Sequence, residues 1–334
     1  MEYWIDWQNL PFLRPSNIPS IWYLRSPMGK WVLKAIIQKG ISFLPFGHKV
    51  NFLFQKYITR GVNLSDQYFE DRLLHCKEHY RYFRQYCSSE KFSHLEIGTG
   101  WYPVVPLGMF LYGADSVTTI DLTRFMNETR FRTTLKKYYD SHKAGKLSVL
   151  LPSVAEERLR MLVEEAESPT CNSLGSFLEK FRIEYHVADA RKVPFNDGSF
   201  DLITSNNTFE HIYPEALEGI LLEFKRLCKK GGVMSHSIDL SDHFAHMDPG
   251  ITIYNFLKYS EAEWKWIDNS IQPMNRLRIY DYREMYTKLS IPITLEINRE
   301  FDLESYKKVK VNEMFSAHKA EENAVSHTRL ISLL

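Results

Sequence analysis

Apolar positions fall into blocks whose period alternates between strand-like and helix-like. Residues 93–97 form a short run suited to a buried strand, and Gly98 and Gly100 break it. Pro103 can open a helix, because the first helical residue has no intrahelical use for an N–H. Val104, Val105, Leu107, Met109, Phe110 and Leu111 give that helix a wide apolar face, and Gly113 ends it. Residues 117–122 predict a second strand, 183–188 a third and 202–205 a fourth. A helix over 217–230 follows, with Leu221, Phe224, Leu227 and Cys228 on one inner face. The pair Gly231-Gly232 ends it, and a fifth strand runs over 233–238. Residues 293–301 and 327–333 predict two more. Strands joined through helices imply parallel pairing and a sheet covered on both faces, an α/β fold.

The remaining segments lie outside this alternation. Residues 1–26 are aromatic and proline-punctuated, an arm without a regular element. Residues 30–43 predict an amphipathic helix with Lys30, Lys34 and Gln38 on one face. Through residue 60 the bases Arg14, Arg25, Lys30, Lys34, Lys39, Lys49, Lys56 and Arg60 face only Glu2 and Asp6 as acids. That helix is read either as a cap on the core with its lysines in water, or as a peripheral contact of residues 30–43 with an anionic membrane. Residues 64–86 predict a second helix, capped by Ser65. The crossing from 123 to 182 exceeds the dozen or so residues that a crossover helix needs. Such an excess reads as an insertion that covers a site or binds a partner, with one helix over 154–166. The expected organisation is an N-terminal arm and helical cap over residues 1–90, then a catalytic domain over 91–334. That domain carries helical insertions at about 123–182 and 241–290.

The chemistry of the glycine turn narrows the ligand. Gly98 and Gly100 permit close approach to the backbone. Asp121 follows Gly100 by about the 20 residues expected of an acid that grips ribose hydroxyls. The dinucleotide pattern needs glycine where Pro103 stands, which argues against a pyrophosphate and against NAD but leaves a nucleoside. Glu96, before the first glycine, would repel phosphate and can help hold an ammonium group. An acid, one residue, then alternating glycines resembles the first motif of the class I S-adenosylmethionine-dependent methyltransferases. Tyr102 stands where their third glycine is usual. A second resemblance lies downstream: Asp189 and Ala190 after the third strand, then Pro194, Phe195, Asp197, Ser199, Phe200 and Asp201, then Glu210-His211 after the fourth strand. The resemblance covers about residues 91–240 and the end of the chain. It implies a Rossmann-like, seven-stranded, mostly parallel sheet closed by an antiparallel last strand. It also implies S-adenosyl-L-methionine as cofactor, held by Glu96, Gly98, Gly100, Asp121, Leu122, Asp189, Ala190 and Asn206, with Asp189 meeting the adenine.

Composition adds bounds. The chain has 334 residues, 44% of them hydrophobic, and a formal net charge of +1. That balance gives no basic surplus for a nucleic-acid partner. Cys76, Cys87, Cys171 and Cys228 form no zinc spacing and read as reduced thiols of a cytoplasmic protein. Neither a signal peptide nor an apolar run long enough to span a membrane is visible.

Methyl transfer requires an acceptor placed in line with the sulfonium and often a base to take its proton. Ligands of open α/β sheets sit outside the carboxyl ends of the strands. Past the fifth strand stand His236, Asp239, Asp242, His243, His246 and Asp248. His243 or His236 is the expected base, with Asp239 to orient the ring and His211 shared between the cofactor and substrate sides. The same cluster can hold a divalent metal or simply shape a loop; no ligand spacing marks a metal, and none is assigned. Aromatics at 254–266 with Arg276 and Arg278 suit a planar or anionic acceptor, or form the core of a cap. The expected activity is O-methylation of a small molecule such as a sugar, phenol or natural product. A protein or other macromolecular acceptor is the alternative, as is a non-catalytic scaffold that kept the fold.

Overall fold

The computed structural model describes residues 29–43, 63–246, 248–270, 272–299 and 302–334. The expected arm over residues 1–26 lies outside them. In chain order the elements are α1 (Lys30–Ser42), α2 (Asp66–Tyr86), β1 (Ser93–Ile97), α3 (Val104–Leu111), β2 (Ser116–Asp121), α4 (Glu128–Lys143), α5 (Leu147–Leu150), α6 (Glu156–Glu167), α7 (Leu174–Lys180) and β3 (Ile183–Val187). There follow β4 (Phe200–Asn206), α8 (Pro214–Leu227), β5 (Cys228–Asp239), α9 (Glu261–Ile267), α10 (Ile279–Lys288), β6 (Leu295–Asn298), α11 (Leu303–Lys307), α12 (Glu313–Ser316), α13 (Ala320–Asn323) and β7 (His327–Leu333).

The seven strands form one sheet in the order β3-β2-β1-β4-β5-β7-β6. The first five are parallel, and β7 runs antiparallel to both β5 and β6. Chain order reverses between β1 and β4, which opens a crevice at their carboxyl ends. The expected seventh strand matches β7, while the strand expected over 293–301 shortens to β6.

Two apolar layers flank the sheet. On one side Val117, Leu202, Val233 and Ile331 meet α2, α3, α4, α6 and α7. On the other, Leu95, Ile97, Ile203, Met234 and Leu330 meet α8 and α10. The long crossing belongs to the first layer. Phe131, Tyr138, Leu147, Leu151, Leu162, Phe177 and Phe181 are all buried there, each large apolar side chain adding roughly 1.5–3 kcal/mol of transfer free energy. The insertion is therefore part of the core, and the expected cover over the site is not what these helices form. A third cluster joins Ala35 of α1 to Phe244, Tyr254, Phe256, Trp264, Met274, Tyr306 and Phe315, which together form a cap.

The orientation of α1 reverses the expected one. Gln38 is buried and bonds Gln272, while Lys39 donates to the carbonyls of Lys265 and Asp268. Lys34 lies 5.5 Å from the Phe244 ring centre, and burial lowers its pKa. Leu33, Ile36 and Phe43 face outward instead. Lys34, Gln38 and Lys39 of this helix thus turn toward the cap. Among the described residues, no helix is long and apolar enough to cross a membrane.

Candidate functional site

The turn after β1 is fixed by its own backbone. Gly98 adopts φ +79°, and a Cβ there would stand 2.3 Å from Thr208 Oγ1. Another residue would strain both the turn and the neighbouring loop. Gly100, at φ +71°, has open space where its Cβ would point, so the backbone is bare to a ligand. Its N–H donates to both carboxylate oxygens of Asp121, at 3.2 and 3.3 Å. Burial raises the Asp121 pKa to about 8. Glu96 is buried as well, accepts from Thr99 Oγ1 and Asn206 Nδ2, and is pushed up to about 7, chiefly by burial. Trp101, at the tip of the turn, packs 4.6 Å from Phe125 and lies under the Arg130 guanidinium.

A cavity of about 260 Å³ opens beside this turn, lined among others by Arg72, Glu96, Gly100, Tyr102, Asn206 and His211. Arg72 was not foreseen from the sequence. It projects from α2; its buried Nε makes no hydrogen bond and lies 3.7 Å from Asp71 Oδ2, while Nη1 donates to the Asn206 carbonyl at 3.4 Å. Asp71, Glu210 and Glu96 help keep it charged against the effect of burial. The only sequence signal was its place in a helix beside the first strand.

Asn206 is fully engaged: its Oδ1 accepts from His79 Nε2 and its Nδ2 donates to Glu96. It orients the acid rather than offering itself to a ligand. Leu122, just past β2, is 78% exposed, an apolar side chain left uncovered at the strand end. Ala190 is buried. Asp189 is half-exposed, and its carboxylate is gripped by Arg191 through Nε and Nη2. It is not aimed as a free acceptor toward adenine.

The second group gathers past β4 and β5. A 3-10 turn over Phe209–His211 follows β4. Asn275 clamps it, donating from Nδ2 to the carbonyls of Phe209 and Ile212 and from its backbone to that of Glu210. His211 places Nδ1 2.7 Å from the Pro273 carbonyl, and burial lowers its pKa to about 4. His243 Nε2 lies 3.3 Å from Asp239 Oδ2. Burial opposes both charges of this pair, yet the contact lowers the Asp239 pKa and raises that of His243. The His211 and His243 rings lie 4.9 Å apart, edge to face. Ligand atoms of Glu210, His211 and His243 come within 4.8 Å of one another. Glu210 is 3% exposed, both of its carboxylate oxygens lack a partner, and burial lifts its pKa to about 8.

Other expected members stand apart. His236 is a core histidine: fully buried, its Nδ1 bonded to Ser205 Oγ, its ring stacked between Phe209 and Phe224, its pKa lowered to about 3. A neutral ring sealed inside β5 is no base for an acceptor. Asp242 and Asp248 anchor their loops, accepting from Phe244 N and Asn255, and from Trp31 N and Gly250 N. Arg278 is spent on the carbonyls of Leu240, Asn323 and Val325, and Arg276 on those of Phe256 and Tyr259 with Glu261. Neither is offered to an anionic ligand. A larger cleft of about 620 Å³ in the cap, bordered by Trp264, Asp268 and Arg276, shares no lining residue with the glycine-turn cavity.

Residues 157–235, from α6 through most of β5, match the family model for a methyltransferase domain. That match spans β3, β4 and the turn carrying Glu210 and His211, and lies downstream of the glycine turn. Over that stretch the chain resembles a methyltransferase domain. No protein of curated function matches it by sequence. Among solved structures, a methyltransferase of Methanosarcina mazei is 14% identical, over 76% of this chain and 97% of its own, with a TM-score of 0.42. One from Clostridium acetobutylicum is 12% identical, over 86% and 98%, at 0.42. Phosphoethanolamine N-methyltransferase 2 of Haemonchus contortus, in complex with S-adenosyl-L-methionine, is 12% identical, over 84% and 59%, at 0.42.

S-adenosyl-L-methionine is the cofactor that the sequence motifs imply, and the residues around this cavity suit it. A bare glycine backbone, a buried acid at the end of β2, a second buried acid within β1 and the Arg72 guanidinium are groups of the kind that suit ribose, ammonium and carboxylate.

Proposed function

We propose that this methyltransferase transfers a methyl group to oxygen on a small molecule bound beside Glu210, His211, Asp239 and His243. The bound cofactor supplies an electrophilic methyl on sulfonium. The chain's own residues hold the two reactants and manage the acceptor's proton. Asp121 receives the ribose hydroxyls and Glu96 the ammonium, while Arg72 pairs with the carboxylate in a bidentate manner that its planar fork favours. Leu122 packs on the adenine face. Asp189 reaches the adenine only after releasing Arg191.

The observation that carries this reading is the placement of the acid–histidine group. His211 lines the cofactor cavity and touches His243, which is backed by Asp239. A hydroxyl entering there meets groups able to orient it and draw off its proton. Support for a small acceptor comes from the formal net charge of +1, which gives no basic surplus for a nucleic-acid partner.

The test is transfer from methyl-labelled cofactor by the full chain, offered pooled metabolite, protein and nucleic-acid fractions in turn. Label on oxygen of a small molecule is the expected outcome. Label in the protein or nucleic-acid fraction would establish the macromolecular alternative. Tight cofactor binding with no transfer to any fraction would favour a scaffold.

A further inference from the structure

A histidine–aspartate base accounts for His243 and Asp239, but it leaves Glu210 unused. Glu210 is buried with two partnerless oxygens, beside two histidines, one of which, His211, lines the glycine-turn cavity. Burying a carboxylate without partners is costly, and native proteins avoid it unless something is to be bound. We propose that Glu210, His211 and His243 bind a divalent transition-metal ion, and that this ion holds the acceptor oxygen for methyl transfer. The idea deepens the reading of the acceptor side and rests on it for the role of the ion, not for its binding.

Three features support a metal over an ordinary polar cluster. The donor set is two imidazoles and one carboxylate, which suits iron, cobalt, manganese or zinc and leaves coordination positions open for a substrate. Both imidazoles are oriented as metal ligands are. His211 Nδ1 faces the Pro273 carbonyl, which leaves Nε2 as a lone pair. His243 Nε2 faces Asp239, which leaves Nδ1 as a lone pair. A ring nitrogen tied to a carbonyl or carboxylate is the usual outer support of a metal-bound histidine. The third feature is Glu210 itself. Ligand atoms within 4.8 Å need only draw in to the roughly 3.4 Å separation that bonds of about 2.1 Å impose around a tetrahedral ion.

The chemical step balances simply. The acceptor O–H binds the ion, which makes it more acidic, and its proton passes to solvent. The metal-held oxygen then forms the new O–CH₃ bond as the sulfonium C–S bond breaks, leaving a neutral thioether. No electron is gained or lost. In this form His243 promotes ionisation through the ion, not by taking the proton itself.

The experiment is titration of the chelator-stripped full chain with Co²⁺, followed by visible d–d absorption and by metal analysis, with Zn²⁺ as competitor. One Co²⁺ per chain is expected, displaced by Zn²⁺. Glu210→Gln and His211→Ala should each abolish the band or weaken binding at least 100-fold. Asp239→Asn should weaken it roughly 10–100-fold, as loss of an outer partner does, and the surface change His142→Ala should leave it intact. Cofactor affinity, measured on every variant, shows that each is folded. Absence of a cobalt band, or a band indifferent to Glu210→Gln and His211→Ala, would overturn the metal site. If methyl transfer still depended on His243 in that case, the acceptor-side reading would stand without the ion. Cobalt bound as expected, with no transfer to any small molecule, would keep the metal site and remove that reading.

Discussion

The two halves of the site are built by different means. The cofactor half is local: Glu96, Gly98, Gly100 and Asp121 come from one strand–turn–helix–strand unit, and backbone bonds such as Gly98 N–H to the Ile120 carbonyl fix their geometry. The acceptor half is assembled from distant segments. Glu210 and His211 follow β4, Asp239 and His243 end β5, and Pro273 and Asn275 of the cap clamp the turn between them. A local unit constrains its residue types through backbone conformation, so it leaves a spacing in the sequence. An assembled site constrains only which segments meet, and no spacing records that. On the proposed reading the local unit binds the methyl donor, and the assembled half meets the acceptor.

The sharpest way to separate the halves is His243→Ala. It should lower turnover by roughly 10²–10⁴-fold, as removal of a group that manages a proton does. Cofactor affinity measured by calorimetry should stay unchanged. A matching loss of cofactor affinity would show that the halves are not independent. His236→Phe should leave turnover near normal and register mainly in melting temperature, because that ring is part of the core.

The reciprocal change is Asp121→Ala. It should weaken S-adenosylmethionine binding by about 1.5–3 kcal/mol, the range for a hydrogen bond to a charged acceptor. Turnover at saturating cofactor should change little, and NAD should not bind to either protein. Unaltered affinity in a folded variant would remove Asp121 from the site.

What could be read from the sequence follows the same division. The strands and the antiparallel last one were legible, as was the turn that brings Gly98, Gly100 and Asp121 together, because glycine at positive φ and an acid at a strand end each have a physical reason. Residue type alone misled at His236, where alternation along β5 turns the ring into the core. It misled again at Arg276 and Arg278, whose charges satisfy backbone carbonyls left open where irregular cap segments meet. Lys34 and Gln38 of α1 looked solvent-facing because helix periodicity shows two faces without saying which is inward. Arg72 and Glu210 gained their meaning only when α2 and the turn after β4 were brought to one cavity. The family match begins at residue 157, downstream of the glycine turn. The long insertion separates the two stretches of motif that the fold reunites.

A smaller effect should appear in the pH dependence of cofactor binding. Ligand-free Asp121 and Glu96 hold their protons up to about 8 and about 7, because burial penalises the charged forms. Ribose hydroxyls and an ammonium favour ionised carboxylates, so binding should expel protons. Affinity should therefore rise with pH between about 6 and 8, by at most about tenfold per unit for each proton released. The stability contribution has the opposite sign. The folded chain retains protons that the unfolded chain has lost above about 4, so these groups destabilise the free protein progressively as pH rises from there through 7 and 8. Asp121→Asn should flatten both trends, in calorimetry and in thermal melts. A cofactor affinity that is flat across this window would mean that the acids are already ionised before binding.

The smallest expected effect concerns the insertion between β2 and β3. Its length suggests a lid, and a lid would be cut by protease in the free enzyme and protected when ligands bind. The structure gives it another role. Phe131, Leu147, Leu162, Phe177 and Phe181 are sealed in the layer beneath α3, Ser173 caps α7, and Glu165 accepts from Thr170, Cys171 and Lys180 to close the turn between α6 and α7. Opening this segment would expose a large part of the core, so cleavage should require unfolding on the scale of the domain. Residues 128–180 should be cut slowly and at rates that track global stability, changing with cofactor only as much as the melting temperature does. The exception should be the stretch from Thr123 to Met126, where Phe125 packs on Trp101 of the glycine turn. Protection by cofactor confined to that stretch would tie the insertion to the donor half through the contacts around Trp101. Protection spread over the whole insertion, with no matching rise in stability, would restore the lid.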